Sequence, residues 1–300
     1  MINVFITGGT GFIGSYVANE LAQNGYKLTI LARNPDKIDL LKKLPYVNIK
    51  KFNLNNTKKF FKTIDKIDAL IHVALGWGET GPEMIKNDTL PSIILIDLAI
   101  KRGAKKIIFT SSTAAVGPIT NNIDENKICH PTDFYGATKG AVELFMNAYT
   151  NYYNNLYLNI IRPGYTFGNP VVVGAPMEPD SRFRDICKKA KHGKKITLIK
   201  NDGTQFIWAG DLAKIYLSIL NSNCRNETFF GLSRNFITRE QIAKWAFELA
   251  GTKPNIKLVN KGWSDNPPLY NVSKIKKYFN LSFNPQVKIK EHLKYLLNIS

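Results

Sequence analysis

The sequence predicts an α/β protein, a doubly wound parallel sheet with a smaller, mixed region toward the C-terminus. Three observations predict it. Short apolar runs alternate with amphipathic helical stretches through the first half of the 300-residue chain, the pattern of a parallel sheet covered by helices on both faces. Three glycines at three-residue spacing (Gly8, Gly11, Gly14) join the first apolar run to the first helical stretch. A later apolar run ends in Thr110-Ser111-Ser112-Thr113, and in open α/β sheets ligands bind at the carboxyl ends of strands.

The first run, residues 2–6, reads as a buried strand, and Tyr16, Val17, Leu21 and Ala22 fall at helical spacing after it. Of the glycines between, one permits the tight turn, one lets a pyrophosphate approach the backbone, and one lets helix and strand pack closely. Phosphates would sit at the helix N-terminus, where free N–H groups and the helix dipole favour negative charge. The arrangement predicts a Rossmann dinucleotide-binding unit, with Gly8, Gly11, Phe12, Ile13 and Gly14 as candidate cofactor residues. A bare glycine trio can serve only as a turn; the strand before and the helix after give this one its meaning.

Further strands are expected over 27–32, 47–54, 69–74, 106–110 and 158–161, and helices over 85–102 and 135–154. Residues 168–179, rich in Gly and Pro, read as an irregular loop. A helix over 211–220, a strand over 228–232 and a helix opening at Thr238 follow, Thr238 acting as N-cap with Gln241 three residues on. Residues 1–167, with 208–234 returning to them, should form the dinucleotide-binding domain, and 168–207 with 235–300 the substrate-binding region. The helices 85–102 and 136–154 are apolar on several sides, so each should be buried on several sides. More of the same chain could cover them; a homodimer through these two helices is the expected assembly.

Composition removes other classes. No apolar run reaches about 18 residues, so no membrane span is expected. Residues 1–6 already belong to a strand, leaving no room for a signal peptide, and a cytoplasmic protein is expected. Cys129, Cys187 and Cys224 are odd in number and far apart, and His72, His130, His192 and His292 lack ligand spacing, so neither disulfide framework nor metal is expected. The formal charge of +18 invites a nucleic-acid reading, with residues 188–195 as the densest basic stretch. The lysines are scattered, however, and no nucleic-acid-binding motif accompanies them, so no such partner is expected. A positive field would still attract an anionic cofactor or a small anionic substrate.

Tyr135 and Lys139 stand four apart at the start of a helix, hence on one face. The lysine charge would favour tyrosinate and lower the tyrosine pKa toward the working pH. The same spacing recurs at Tyr46/Lys50 and Tyr270/Lys274. Only Tyr135/Lys139 follows a hydroxyl-bearing strand end and opens a helix.

The order of glycine turn, Ser-Ser-Thr strand end, then Tyr and Lys resembles the extended short-chain dehydrogenase/reductases, the NAD-dependent epimerase/dehydratase family. The resemblance covers nearly the whole chain. Residues 7–14 are similar to its glycine loop, 68–74 to its fourth strand with Asn87 in the helix after it, and 110–117 to its serine segment. Residues 162–170 resemble the loop beside the nicotinamide, and 206–213 a later strand-to-helix signature. The resemblance implies Tyr135 as acid/base, Lys139 as partner of the nicotinamide ribose, and Ser112 as donor to the reacting oxygen. It also implies cofactor contacts from Asn53, Leu54, Ala74, Pro163 and Tyr165.

Departures from the pattern narrow the expectation. The second strand ends Leu31-Ala32-Arg33-Asn34, with no acid for a ribose 2′-hydroxyl and an arginine suited to a 2′-phosphate; Arg33 favours NADP(H) over NAD(H). Thr113 and Ala114 stand where the family's 4,6-dehydratases carry an Asp-Glu pair and its decarboxylases a glutamate, which disfavours both reactions. Thr204 stands where sugar-nucleotide members often have an arginine, although Arg182 and Arg184 could supply the charge. The function expected is reversible hydride transfer at a secondary alcohol or ketone carbon, with a nucleotide sugar as one substrate class. The alternatives are an NADPH-dependent ketone or aldehyde reductase on a small non-nucleotide substrate, and a non-catalytic NAD(P)-binding regulatory protein.

Overall fold

The computed structural model describes residues 2–38, 41 and 43–299, and seven parallel strands build its central sheet. Asn3–Thr7 lies in the interior, paired on one side with Lys27–Ala32 and on the other with Ala69–His72. Val47–Lys51 extends the first side; Lys106–Thr110, Tyr157–Pro163 and Thr228–Gly231 extend the second. Strand order therefore reverses between Asn3–Thr7 and Ala69–His72. In such a sheet that reversal opens a crevice at the carboxyl ends of the two strands.

Side chains alternate across each strand and feed two cores. Val4, Ile6, Ile30 and Ile71 pack against the helices Phe12–Gln23 and Ala209–Asn221. Phe5, Leu31, Leu70 and Phe109 pack on the opposite face against the helices Leu90–Lys101 and Phe134–Tyr152. A third core joins the helices Arg182–Lys191, Arg239–Ala250 and Gln286–Ile299 through Phe183, Ile242, Phe247 and Leu293. Thr238 caps its helix as expected, its hydroxyl accepting from Gln241 N at 3.1 Å.

Two elements differ from expectation by more than two residues. The third strand stops at Lys51, because Asn53 accepts from Asn55 N at 3.0 Å and caps a short 3₁₀ turn, Leu54–Asn56. The helix expected from residue 85 starts earlier, at Gly81, where Thr80 is the N-cap. It passes through a π-turn, Ile85–Thr89, before resuming as Leu90–Lys101. Pro91 has no N–H to return to the carbonyl of Asn87, which breaks the regular ladder at that point. Among the described residues no helix is long and apolar enough to cross a membrane.

Candidate active site

A cleft of about 850 Å³ lies at the reversal of strand order. Its floor is the glycine turn. Gly8 has φ +71°, and a Cβ there would stand 2.7 Å from Ala74 N; a Cβ on Gly14 would stand 2.1 Å from the Gly8 carbonyl oxygen. The following helix starts at Gly11 with no side-chain cap, which leaves N–H groups of its first turn for a ligand. The backbone thus fits a pyrophosphate, and side chains at these glycines would fill the cradle.

The wall is set by hydroxyls at strand ends. Thr7 Oγ1 and His72 Nδ1 are 2.6 Å apart, and the other ring nitrogen lies 2.8 Å from Ser92 Oγ. Burial, with the Lys139 charge as a second cause, pushes the His72 pKa down to about 3. Thr110 pairs with Tyr216 at 2.7 Å, and Ser111 donates to Glu143. Ser112 differs: its oxygen accepts from Ala114 N at 3.1 Å, which leaves the hydroxyl proton to donate elsewhere.

Helix Phe134–Tyr152 brings the tyrosine and lysine alongside. Asp133 caps it, accepting from Gly136 N at 2.6 Å. A Cβ on Gly136 would lie 2.3 Å from the Ala114 carbonyl, so glycine is what lets this helix start against the Ser112 turn. Tyr135, Lys139 and Ser112 all line the cleft. The Lys139 ammonium is 5.9 Å from the Tyr135 ring centre and 5.3 Å from that of Phe109. One turn on, Glu143 pairs with Arg162, Oε2 to Nη2 at 2.7 Å, both nearly fully buried. That pair ties the helix to strand Tyr157–Pro163.

Residues 4–229 match the sequence profile of the NAD dependent epimerase/dehydratase family. The chain belongs to this family. It is 27% identical over 98% of its length to a Methanocaldococcus jannaschii protein provisionally named UDP-glucose 4-epimerase, 97% of which is covered. It is 25% identical over 97% of its length to the mouse dTDP-D-glucose 4,6-dehydratase, 86% of which is covered. In fold it is similar to the Bacillus cereus UDP-glucuronic acid 4-epimerase in complex with UDP-glucuronic acid and NAD, with a TM-score of 0.82 and 17% identity over 100% of both chains. Both epimerases and dehydratases therefore stand among the relatives, and the family's description names a nicotinamide cofactor.

Within this epimerase/dehydratase member, Gly8, Gly11, Phe12, Ile13, Gly14, Arg33, Asn53, Leu54, Ala74 and Pro163 all border the cleft with the Ser112, Tyr135 and Lys139 set. Tyr165 does not. Its ring packs 4.8 Å from Phe206 and 5.6 Å from Phe183, under the Arg182 guanidinium, and burial pushes its hydroxyl pKa up. The chain turns away into Thr166–Phe167 just after Gly164, which carries Tyr165 into the third core. Arg182 is itself paired with Asp180, and Arg184 donates to the carbonyls of Glu178 and Pro179.

Sequence reasoning missed two features. Beside the cleft lies a second recess of about 480 Å³, sharing Arg33 and Asn53 with it and lined also by Lys51, Lys59 and Phe60. Asp88, fully buried, lies 3.4 Å from the Lys139 ammonium. A signal for Asp88 existed: positions 88, 92, 95 and 99 fall on one helical stripe with Ser92, Leu95 and Ala99, an inward face.

Proposed function

We propose that this chain is an NADP(H)-dependent oxidoreductase or epimerase that acts at a single secondary alcohol or ketone carbon. The bound cofactor supplies the site that accepts and returns hydride. Tyr135 takes or gives the hydroxyl proton, Ser112 donates to the reacting oxygen, and Lys139 holds the ribose. The observation that carries this reading is the convergence of Ser112, Tyr135 and Lys139 on one cleft with the glycine cradle.

Two features refine it. Among the described residues lining the cleft there is no Asp or Glu. Thr113 and Ala114 follow Ser112 directly, so the proton transfers of dehydration or decarboxylation have no carboxylate to perform them. Arg33, Lys51 and Lys59 border the recess next to the ribose end, again with no carboxylate in its lining, which suits a 2′-phosphate.

Substrate class divides two readings. A nucleotide sugar fits the family, but Arg182 is already paired with Asp180 and Arg184 with backbone carbonyls. That engagement favours the second reading, a reductase on a small non-nucleotide ketone or aldehyde. A homodimer through the two apolar helices completes the proposal, since Leu90, Leu144, Phe145 and Tyr152 are exposed.

The test is Tyr135→Phe. Turnover should fall about 10²- to 10⁴-fold, the usual worth of a positioned acid/base, while cofactor still raises the melting temperature. A fully active Tyr135→Phe enzyme would remove the assignment.

A further inference from the structure

We propose that Asp88 is a positioning residue for Lys139: its buried carboxylate holds the ammonium in place beneath Tyr135. The inference rests on the catalytic pair assigned above. Asp88 Oδ2 is 3.4 Å from Lys139 Nζ, and the two side chains are 0% and 3% exposed. The other oxygen, Oδ1, accepts from Gly76 N at 2.8 Å, on the loop that lines the cleft after strand Ala69–His72. One carboxylate therefore links the cleft wall to the catalytic helix.

The chain builds this contact deliberately into an irregular segment. Asp88 sits in the π-turn Ile85–Thr89, and a Cβ on Gly76 would lie 1.8 Å from the Asn87 carbonyl. Glycine at 76 is what allows that loop to close onto the turn and reach Asp88. Thr89 and Thr138 add a second bond between the same elements, their hydroxyls 3.2 Å apart.

Among the described residues Asp88 is the carboxylate paired with Lys139; of those on the neighbouring helical segments, Glu83 accepts from Glu79 N and Asp97 pairs with Lys101. From strand Ala69–His72 the facing group is His72, neutral above about pH 3. Strand Lys106–Thr110 offers the Phe109 ring and helix Phe134–Tyr152 the Tyr135 ring. Glu143, one turn along the catalytic helix, is committed to Arg162 and Ser111, with Cys129 Sγ beside it at 3.3 Å. A buried ammonium without a counter-charge gives up its proton more readily. Without Asp88, Lys139 would also lose the buried contact that holds its ammonium beside the Tyr135 ring.

The experiment compares Asp88→Asn, Lys139→Met and the double variant with wild type. Asparagine keeps an acceptor for Gly76 N and removes the charge. In Asp88→Asn, turnover should fall about tenfold or more, and the alkaline limb of the pH–rate profile should move down by about one unit. A merely structural role would leave that limb in place, and an unmoved limb overturns the proposal. Melting gives a readout that needs no turnover. Removing both charges should restore about 5 °C or more relative to the less stable single variant, because a lone buried charge is what destabilises. If Asp88→Asn cannot fold, recovery in the double variant supports the pair, and a double variant as unstable as the sum of the singles overturns it. Activity surviving in Tyr135→Phe would remove the catalytic assignment while leaving this melting cycle intact, so the two failures are distinguishable.

Discussion

A Cβ on Gly14 would stand 2.1 Å from the carbonyl oxygen of Gly8, so the first turn of the helix and the end of the first strand meet backbone to backbone. Gly14→Ala must push the turn open. The expected cost is about 1–3 kcal/mol of stability, the range for overpacking a tight contact, together with loss of the cofactor-induced rise in melting temperature. Denaturant unfolding and a cofactor melt measure the two parts separately. A variant that still binds cofactor with wild-type affinity would mean that the cradle is not the phosphate site.

Cofactor choice should respond to the recess beside Arg33. In the double variant Arg33→Ala/Lys51→Ala, the Kd for NADPH should rise about tenfold or more, the worth of lost charge-assisted hydrogen bonds. The Kd for NADH should change little. Titration calorimetry with both nucleotides checks this, and equal weakening of both would assign these cations to general electrostatic attraction instead.

His72 gives the fold a dependence on pH. Its folded pKa is depressed from 6.5 to about 3, chiefly by burial. The unfolded chain therefore takes up a proton below 6.5 that the folded chain refuses until about pH 3. The associated stability is complete above 6.5 and is lost as pH falls toward 3. Between pH 7 and 5 the wild type should lose about 2 kcal/mol more than His72→Gln. Urea unfolding of both proteins at the two pH values measures the difference, and parallel losses would refute it.

The exposed apolar helix face predicts a change of mass. Leu144 and Phe145 are 64% and 47% exposed on helix Phe134–Tyr152. If a second copy covers them, Leu144→Glu/Phe145→Glu should shift light-scattering mass from a dimer to a single chain without lowering helix content. A wild-type protein that is already monomeric at tens of micromolar would dispose of the homodimer.

Much of the fold could be read from local pattern. The strands Lys27–Ala32 and Lys106–Thr110 fall where their apolar runs do, and Thr238 caps its helix through Gln241. Such signals sit within a few residues of each other, so periodicity and capping chemistry reveal them. The third strand ends at Lys51, short of the expected residue 54, because the Asn53 side chain caps the next turn, a role its neighbours in the chain do not announce.

What the sequence alone determined was the glycine cradle, the strand-end Ser112 and the helical pair Tyr135 and Lys139, each defined by neighbours in the chain. The tertiary structure decided the rest. It carried Tyr165 into an aromatic core, gathered Arg33, Lys51 and Lys59 around one recess, and set Asp88 against a lysine 51 positions away. The reason is physical. A turn or a helix face follows from local geometry, whereas the partner of a buried charge depends on which distant elements pack together, here through a π-turn just ahead of Pro91 and a close approach that glycine at 76 permits.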